Sequence, residues 1–159
     1  MNGLRWLAIA GLSLLCVSGA AAQNYPTRPV TIVVPYAAGG GTDLLARMVA
    51  QKLEQRLGKS FVVENRPGGG TVIAALAVAK APADGYTLLM GTSTPLAINA
   101  TLHKKLPYDP ATDFVPLALV ANVPFVLVVN PSQPIKSASD LVKLAKEKPG
   151  SLSYGTSGP

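Results

Sequence analysis

The chain has 159 residues, with fourteen Lys and Arg against eight Asp and Glu, a formal net charge of +6 and a single cysteine. That inventory excludes a disulfide framework and any metal site built on several cysteines. The basic residues are scattered, their one tight group being Lys143, Lys146 and Lys148, and no aromatic side chains interleave with them, which argues against a nucleic-acid stacking surface.

At the N-terminus Arg5 precedes an apolar run from Trp6 to Val17, and the small residues Gly19, Ala20, Ala21 and Ala22 follow. A charged start, an apolar stretch of roughly a dozen residues and an A-x-A pattern mark an export signal peptide over residues 1–22, cleaved before Gln23. A membrane span would need about 20 apolar residues. Cys16 lies inside this segment behind Leu14 and Leu15, whereas a lipid-attachment cysteine follows a small residue, so it is expected to leave with the signal. The mature chain then has no thiol and is expected in the periplasm. Losing Arg5 leaves a net charge near +5, and a cationic surface raises the local concentration of anionic solutes.

Val30 to Val34 is a compact β-branched run ended by Pro35, the pattern of a buried strand. A Gly-rich turn follows. From Thr42 the apolar residues Leu44, Leu45, Met48, Val49, Leu53 and Leu57 recur at helical spacing, with Asp43 in the first turn and Gly58 as a left-handed stop after Arg56. Phe61 to Val63 reads as a second strand, followed by Asn65-Arg66-Pro67 and three glycines. The Ala-rich stretch from Thr71 to Lys80 predicts a helix, and Asp84-Gly85 a turn before a third strand from Tyr86 to Met90. Strands alternating with helices at this spacing predict an α/β fold, a parallel sheet with helices on both faces.

Between Asn99 and Pro116 the periodicity dissolves. Leu117 to Val129 is apolar but interrupted by Asn122 and Pro124, the pattern of a crossing between domains. Ser137 or Ser139 caps a short helix carrying Leu141, Val142, Leu144 and Ala145, which Pro149-Gly150 ends. Leu152 to Tyr154 begins a further strand. The expected organisation is a signal peptide over 1–22, a first α/β domain over 23–116, and a crossover with an incomplete second α/β domain over 117–159. Because the last residues fall in a turn where a helix should begin, the chain is expected to be truncated.

The chemistry lies in the turns. Tyr36, Ala37, Ala38, Gly39, Gly40, Gly41 and Thr42 stand between a strand and a helix, where main-chain N–H groups can converge on an anion at the positive end of the helix. A carboxylate suits that geometry. The segment lacks the G-x-G-x-x-G spacing of a dinucleotide site and the Gly-Lys-Ser/Thr of a P-loop. Thr92, Ser93 and Thr94 follow the third strand and would share its carboxyl edge, where ligands bind in doubly wound sheets. Tyr154, Gly155, Thr156, Ser157 and Gly158 repeat the same strand-to-helix chemistry, so that two such turns could clamp one anion across a cleft. The loop from Arg66 to Thr71 follows an outer strand and is expected to be structural.

Four segments, Pro35-Tyr36-Ala37-Ala38-Gly39-Gly40-Gly41-Thr42-Asp43, Val63-Glu64-Asn65-Arg66-Pro67-Gly68, Asp84-Gly85-Tyr86-Thr87-Leu88-Leu89 and Lys105-Leu106-Pro107-Tyr108-Asp109-Pro110, stand in the order and spacing of the Bug family. The chain therefore resembles, from about Tyr25 onward, the substrate-binding receptors of tripartite tricarboxylate transporters. The resemblance implies a two-domain Venus-flytrap fold of the type II periplasmic binding class, capturing a small carboxylate for a membrane transporter. It implies no reaction and no cofactor, and the full-length receptor is expected to be a monomer. The family's members are about twice as long, which fits truncation. In the family, the loop after the first strand and a Tyr-Gly-Ser/Thr-rich loop of the second domain grip a ligand carboxylate, which here implies Tyr36 to Thr42 and Tyr154 to Gly158. The chain departs from the family's frequent Gly-Asn-x-Gly pattern, having Gly70-Thr71-Val72-Ile73.

A hydrolase reading is disfavoured because His103, the only histidine, sits in a loop beside Leu102, Lys104 and Lys105. Asp109 and Asp113 are too few for a metal site and read as loop or capping residues. A sensor that presents its solute to a membrane signalling kinase uses the same fold and stays open as the alternative.

Overall fold

The computed structural model describes residues 24–124 and 126–155. The expected signal peptide lies outside the described residues, as do Thr156, Ser157 and Gly158 of the second glycine turn.

Three parallel strands, β1 (Val30–Val34), β2 (Phe61–Asn65) and β3 (Thr87–Leu89), form one sheet in the order β2-β1-β3. Ile32 lies opposite both Val63 and Leu88, so β1 takes the centre. Its residues are apolar almost throughout because a central parallel strand is covered on both faces; Val30, Ile32, Val33 and Val34 are buried. The ladder runs past the strand ends, with Thr31 N donating to Tyr86 O and Met90 N to Val33 O, both at 2.9 Å. The third strand thus pairs over the Tyr86–Met90 span read from the sequence.

Helix α1 (Gly41–Leu57) packs on one face, where Ala46 and Ala50 meet Val30, Ile32, Val34 and Phe61. Helix α2 (Val72–Ala79) covers the other, and Ala77 and Ala81 face Thr31, Val33 and Thr87 across a cavity of about 200 Å³. The parallel α/β layering with helices on both faces is therefore as expected. The direction in which strands are added reverses at β1, with β2 on one side of it and β3 on the other. That divergence opens the sheet's carboxyl edge between the loops after β1 and β3.

The buried stripe of α1 differs from the expected one. Leu44 and Met48 are 56% and 63% exposed, and the residues turned to the sheet are Asp43, Ala46 and Ala50, with Leu53 partly buried. Spacings of three and four put these on one side, and the small alanines let the helix approach β1 closely. Gly58 ends α1 in the left-handed region, φ 68°, with its N–H on Glu54 O at 2.9 Å.

After β3 comes a π-helical turn, Thr94–Ile98, continuing into α3 (Asn99–Leu102). Asn99 is buried; its Nδ2 donates to Gly70 O at 2.9 Å and Thr71 Oγ1 at 3.2 Å, while Tyr108 Oη donates to Pro95 O at 2.7 Å. These bonds fasten the glycine turn after β2 to the segment after β3. That turn has four consecutive residues at positive φ, Gly68, Gly69, Gly70 and Thr71, the last at 75°. Such a conformation is strained for a β-branched residue, and the buried bond to Asn99 helps to hold it.

Helix α4 (Ala138–Glu147) is capped by Ser137, whose Oγ accepts from Asp140 N at 3.2 Å, which decides between the two serines. Leu152 to Tyr154 form no strand: residues 151–155 join no ladder among the described residues, and an extended segment without a neighbour has no partners for its N–H and C=O groups. Leu117, Leu119, Val126, Leu127 and Val128 are likewise exposed, and residues 115–124 and 126–130 form neither helix nor strand.

Candidate functional site

The carboxyl edge of the sheet gathers the expected binding residues around Tyr36. Its ring is half-buried against the core beneath α1, its carbonyl accepts from Asn65 Nδ2 at 3.0 Å, and its hydroxyl shares a 2.8 Å hydrogen bond with Thr92 Oγ1. One side chain at the end of β1 is thus tied to the end of β2 and to the segment after β3.

Ala37, Ala38, Gly39, Gly40 and Gly41 follow on the exposed surface, and Thr42 is half-buried in the first turn of α1. The first helical bond runs from Leu44 N to Gly40 O at 3.0 Å, so the N–H groups of Gly41, Thr42 and Asp43 precede the ladder and have no helical acceptor. They lie at the positive end of a seventeen-residue helix, where an anion is favoured. Gly40 occupies the cap position, and no side-chain cap bond is present, so Thr42 does not cap the helix.

Asp43 is the residue that inspection of the sequence underrates. Its carboxylate is 2% exposed and takes three donors: Gly39 N at 2.9 Å and Arg47 Nε at 3.0 Å on Oδ2, and Asn65 Nδ2 at 3.0 Å on Oδ1. The Gly39 N–H is therefore engaged inside the protein and is not among those open to a ligand. The Arg47 guanidinium, with the Gly39 N–H and the Asn65 amide, holds the Asp43 carboxyl down at about 2. Its signature in the sequence is a carboxylate in register with Ala46 and Ala50, on the buried side of a helix.

Thr92 is half-buried, Ser93 exposed and Thr94 half-buried at the start of the π-helical turn. The structure joins this segment to the first loop through Tyr36. It does not join Tyr154 or Gly155 to either: both are exposed, Tyr154 at 90%, and no hydrogen bond links them to those loops among the described residues. The Asp109 and Asp113 carboxylates accept from nearby main-chain N–H groups at 2.8 Å, and the described residues contain no cluster of three or more metal-ligating side chains.

Residues 45–159 match the family model of the tripartite tricarboxylate transporter family receptor. The chain belongs to that receptor family. Protein BugT of Bordetella pertussis is 42% identical over 158 residues, covering 97% of this chain and 48% of BugT. A Pseudomonas protein from a tcbD-tcbE intergenic region is 40% identical over 154 residues, covering 94% of this chain and 46% of its own length. The chain thus spans about half the length of the curated relatives it matches. Among solved structures, Rpa4515 of R. palustris with adipate shares 48% identity at a TM-score of 0.77, covering 84% of this chain and 45% of that one. MatC of Rhodopseudomonas palustris with bound malate shares 37% identity at a TM-score of 0.72, covering 77% and 42%. The tripartite transporter receptors are periplasmic solute-binding proteins and not enzymes. No described helix of this receptor is long and apolar enough to cross a membrane.

Proposed function

We propose that this receptor captures a small carboxylate outside the cytoplasm for a tripartite tricarboxylate-type membrane transporter. The observation that carries the reading is the first loop: Tyr36 is bound at both ends, its hydroxyl to Thr92, and the N–H groups of Gly41 and Thr42, free of helical acceptors, stand at the positive end of α1. An oriented set of N–H dipoles with neutral hydroxyls suits a carboxylate. The adipate and malate in two similar structures support a dicarboxylate-sized solute. Tyr154, Gly155, Thr156, Ser157 and Gly158 would supply the opposing half of the clamp, and residues 1–22 the export signal.

A thermal-shift screen of the mature full-length protein against mono-, di- and tricarboxylates tests the reading. A solute at about 100 times its Kd stabilises the folded state by roughly 2.7 kcal/mol, so a selective rise in melting temperature is expected. Folded, ligand-free protein that responds to none of these acids would overturn it.

A further inference from the structure

Resting on the carboxylate-receptor reading, we infer that Asp43 is the positioning residue of the anion loop and that Arg47 masks its charge from the bound solute. A carboxylate in the first turn beneath an anion site is an awkward choice, since an uncompensated negative charge there repels the ligand. The arrangement of its partners resolves this. The Gly39 N–H, donated inward to Asp43 Oδ2 at 2.9 Å, fixes the chain just before the cap, where Gly39 adopts φ 88°. Asn65 Nδ2 reaches both Asp43 Oδ1 and the Tyr36 carbonyl at 3.0 Å, so one amide sets the two ends of the loop relative to the end of β2. Arg47 places a positive charge 3.0 Å from the carboxylate and continues to Asn65 Oδ1 at 3.2 Å. Asp43 acts in this way as an internal anion: it takes one loop N–H for itself and leaves those of Gly41 and Thr42 in place for the solute.

The test is calorimetric titration of the full-length protein with malate, adipate and citrate, comparing wild type with Asp43→Asn and Arg47→Met. Asp43→Asn should raise the Kd of the folded protein by about tenfold or more, the scale of one charge-assisted hydrogen bond. The Gly39 amide should shift upfield in proton–nitrogen spectra and exchange faster with solvent. Arg47→Met retains the bonds from Gly39 and Asn65, so it tests the charge separately if the first variant fails to fold; its Kd should also rise, with the deficit shrinking at high salt. A purely structural Asp43 would lower the melting temperature and leave Kd and Gly39 exchange unchanged, and that result would overturn the inference alone. Wild-type protein that binds none of the three acids would overturn it together with the carboxylate reading.

Discussion

Tyr36 and Thr92, 56 positions apart, share a 2.8 Å hydroxyl–hydroxyl bond that joins the loop after β1 to the segment after β3. Among the described residues it is the one hydrogen bond that links these two segments directly beyond the ends of the sheet. Tyr36→Phe keeps the ring packing and removes the bond. We expect a loss of about 0.5–1.5 kcal/mol in denaturant unfolding and a several-fold weaker carboxylate affinity by calorimetry, both on full-length protein.

Gly40 has an ordinary φ of −76°, and a Cβ there would meet only Ala37 O at 3.6 Å. Gly40→Val should therefore leave the melting temperature nearly unchanged while its side chain obstructs the anion and abolishes most binding. Normal binding by that variant would remove the first loop from the site. Thr42→Ala deletes a hydroxyl that makes no cap bond and should change stability by less than about 0.5 kcal/mol.

Asp43 gives stability a pH signature. Its folded carboxyl titrates at about 2, below its ordinary 3.8. The depressed value means that its contribution is present in full above the unfolded value and is lost as pH falls through about 2. Urea unfolding of wild type against Asp43→Asn should show a constant difference above pH ~5 that shrinks as the medium is acidified toward pH ~2. A difference independent of pH would exclude Asp43 as its source.

Asn99 is 1% exposed and links the turn after β2 to α3. Asn99→Ala strands the buried Thr71 hydroxyl and the half-buried Gly70 carbonyl, at a cost of about 1–3 kcal/mol. Faster amide exchange should then appear at Gly68 to Thr71, where strained positive φ values lose a restraint. Exchange unchanged in that turn would show that the strain is held elsewhere.

Periodicity sufficed for the layering here, because Val30 to Val34 could satisfy its apolar side chains only under helices on both faces, and Gly58 could hardly be anything but a helix stop. The glycine loop and the Thr92-Ser93-Thr94 segment were readable as one edge for the same reason: in a parallel sheet all strand ends of one polarity lie together. Periodicity failed on α1, where the large residues Leu44 and Met48 are exposed and the small Ala46 and Ala50 are buried. Hydropathy weights a side chain by its size, whereas the distance between helix and strand is set by how small the facing residues are.

Composition, motif order and strand–helix alternation by themselves determined the parallel α/β fold, the glycine-loop candidate and the resemblance to a solute receptor, since these depend on local chain geometry and repeated pattern. Only the tertiary structure decided that Tyr36 bonds Thr92, that Asp43 withdraws the Gly39 N–H, and that Asn65 serves both. Those contacts join residues 22 to 56 positions apart or turn on the rotation of a helix about its axis. Sequence spacing carries no information about either until the sheet fixes which strand ends are neighbours.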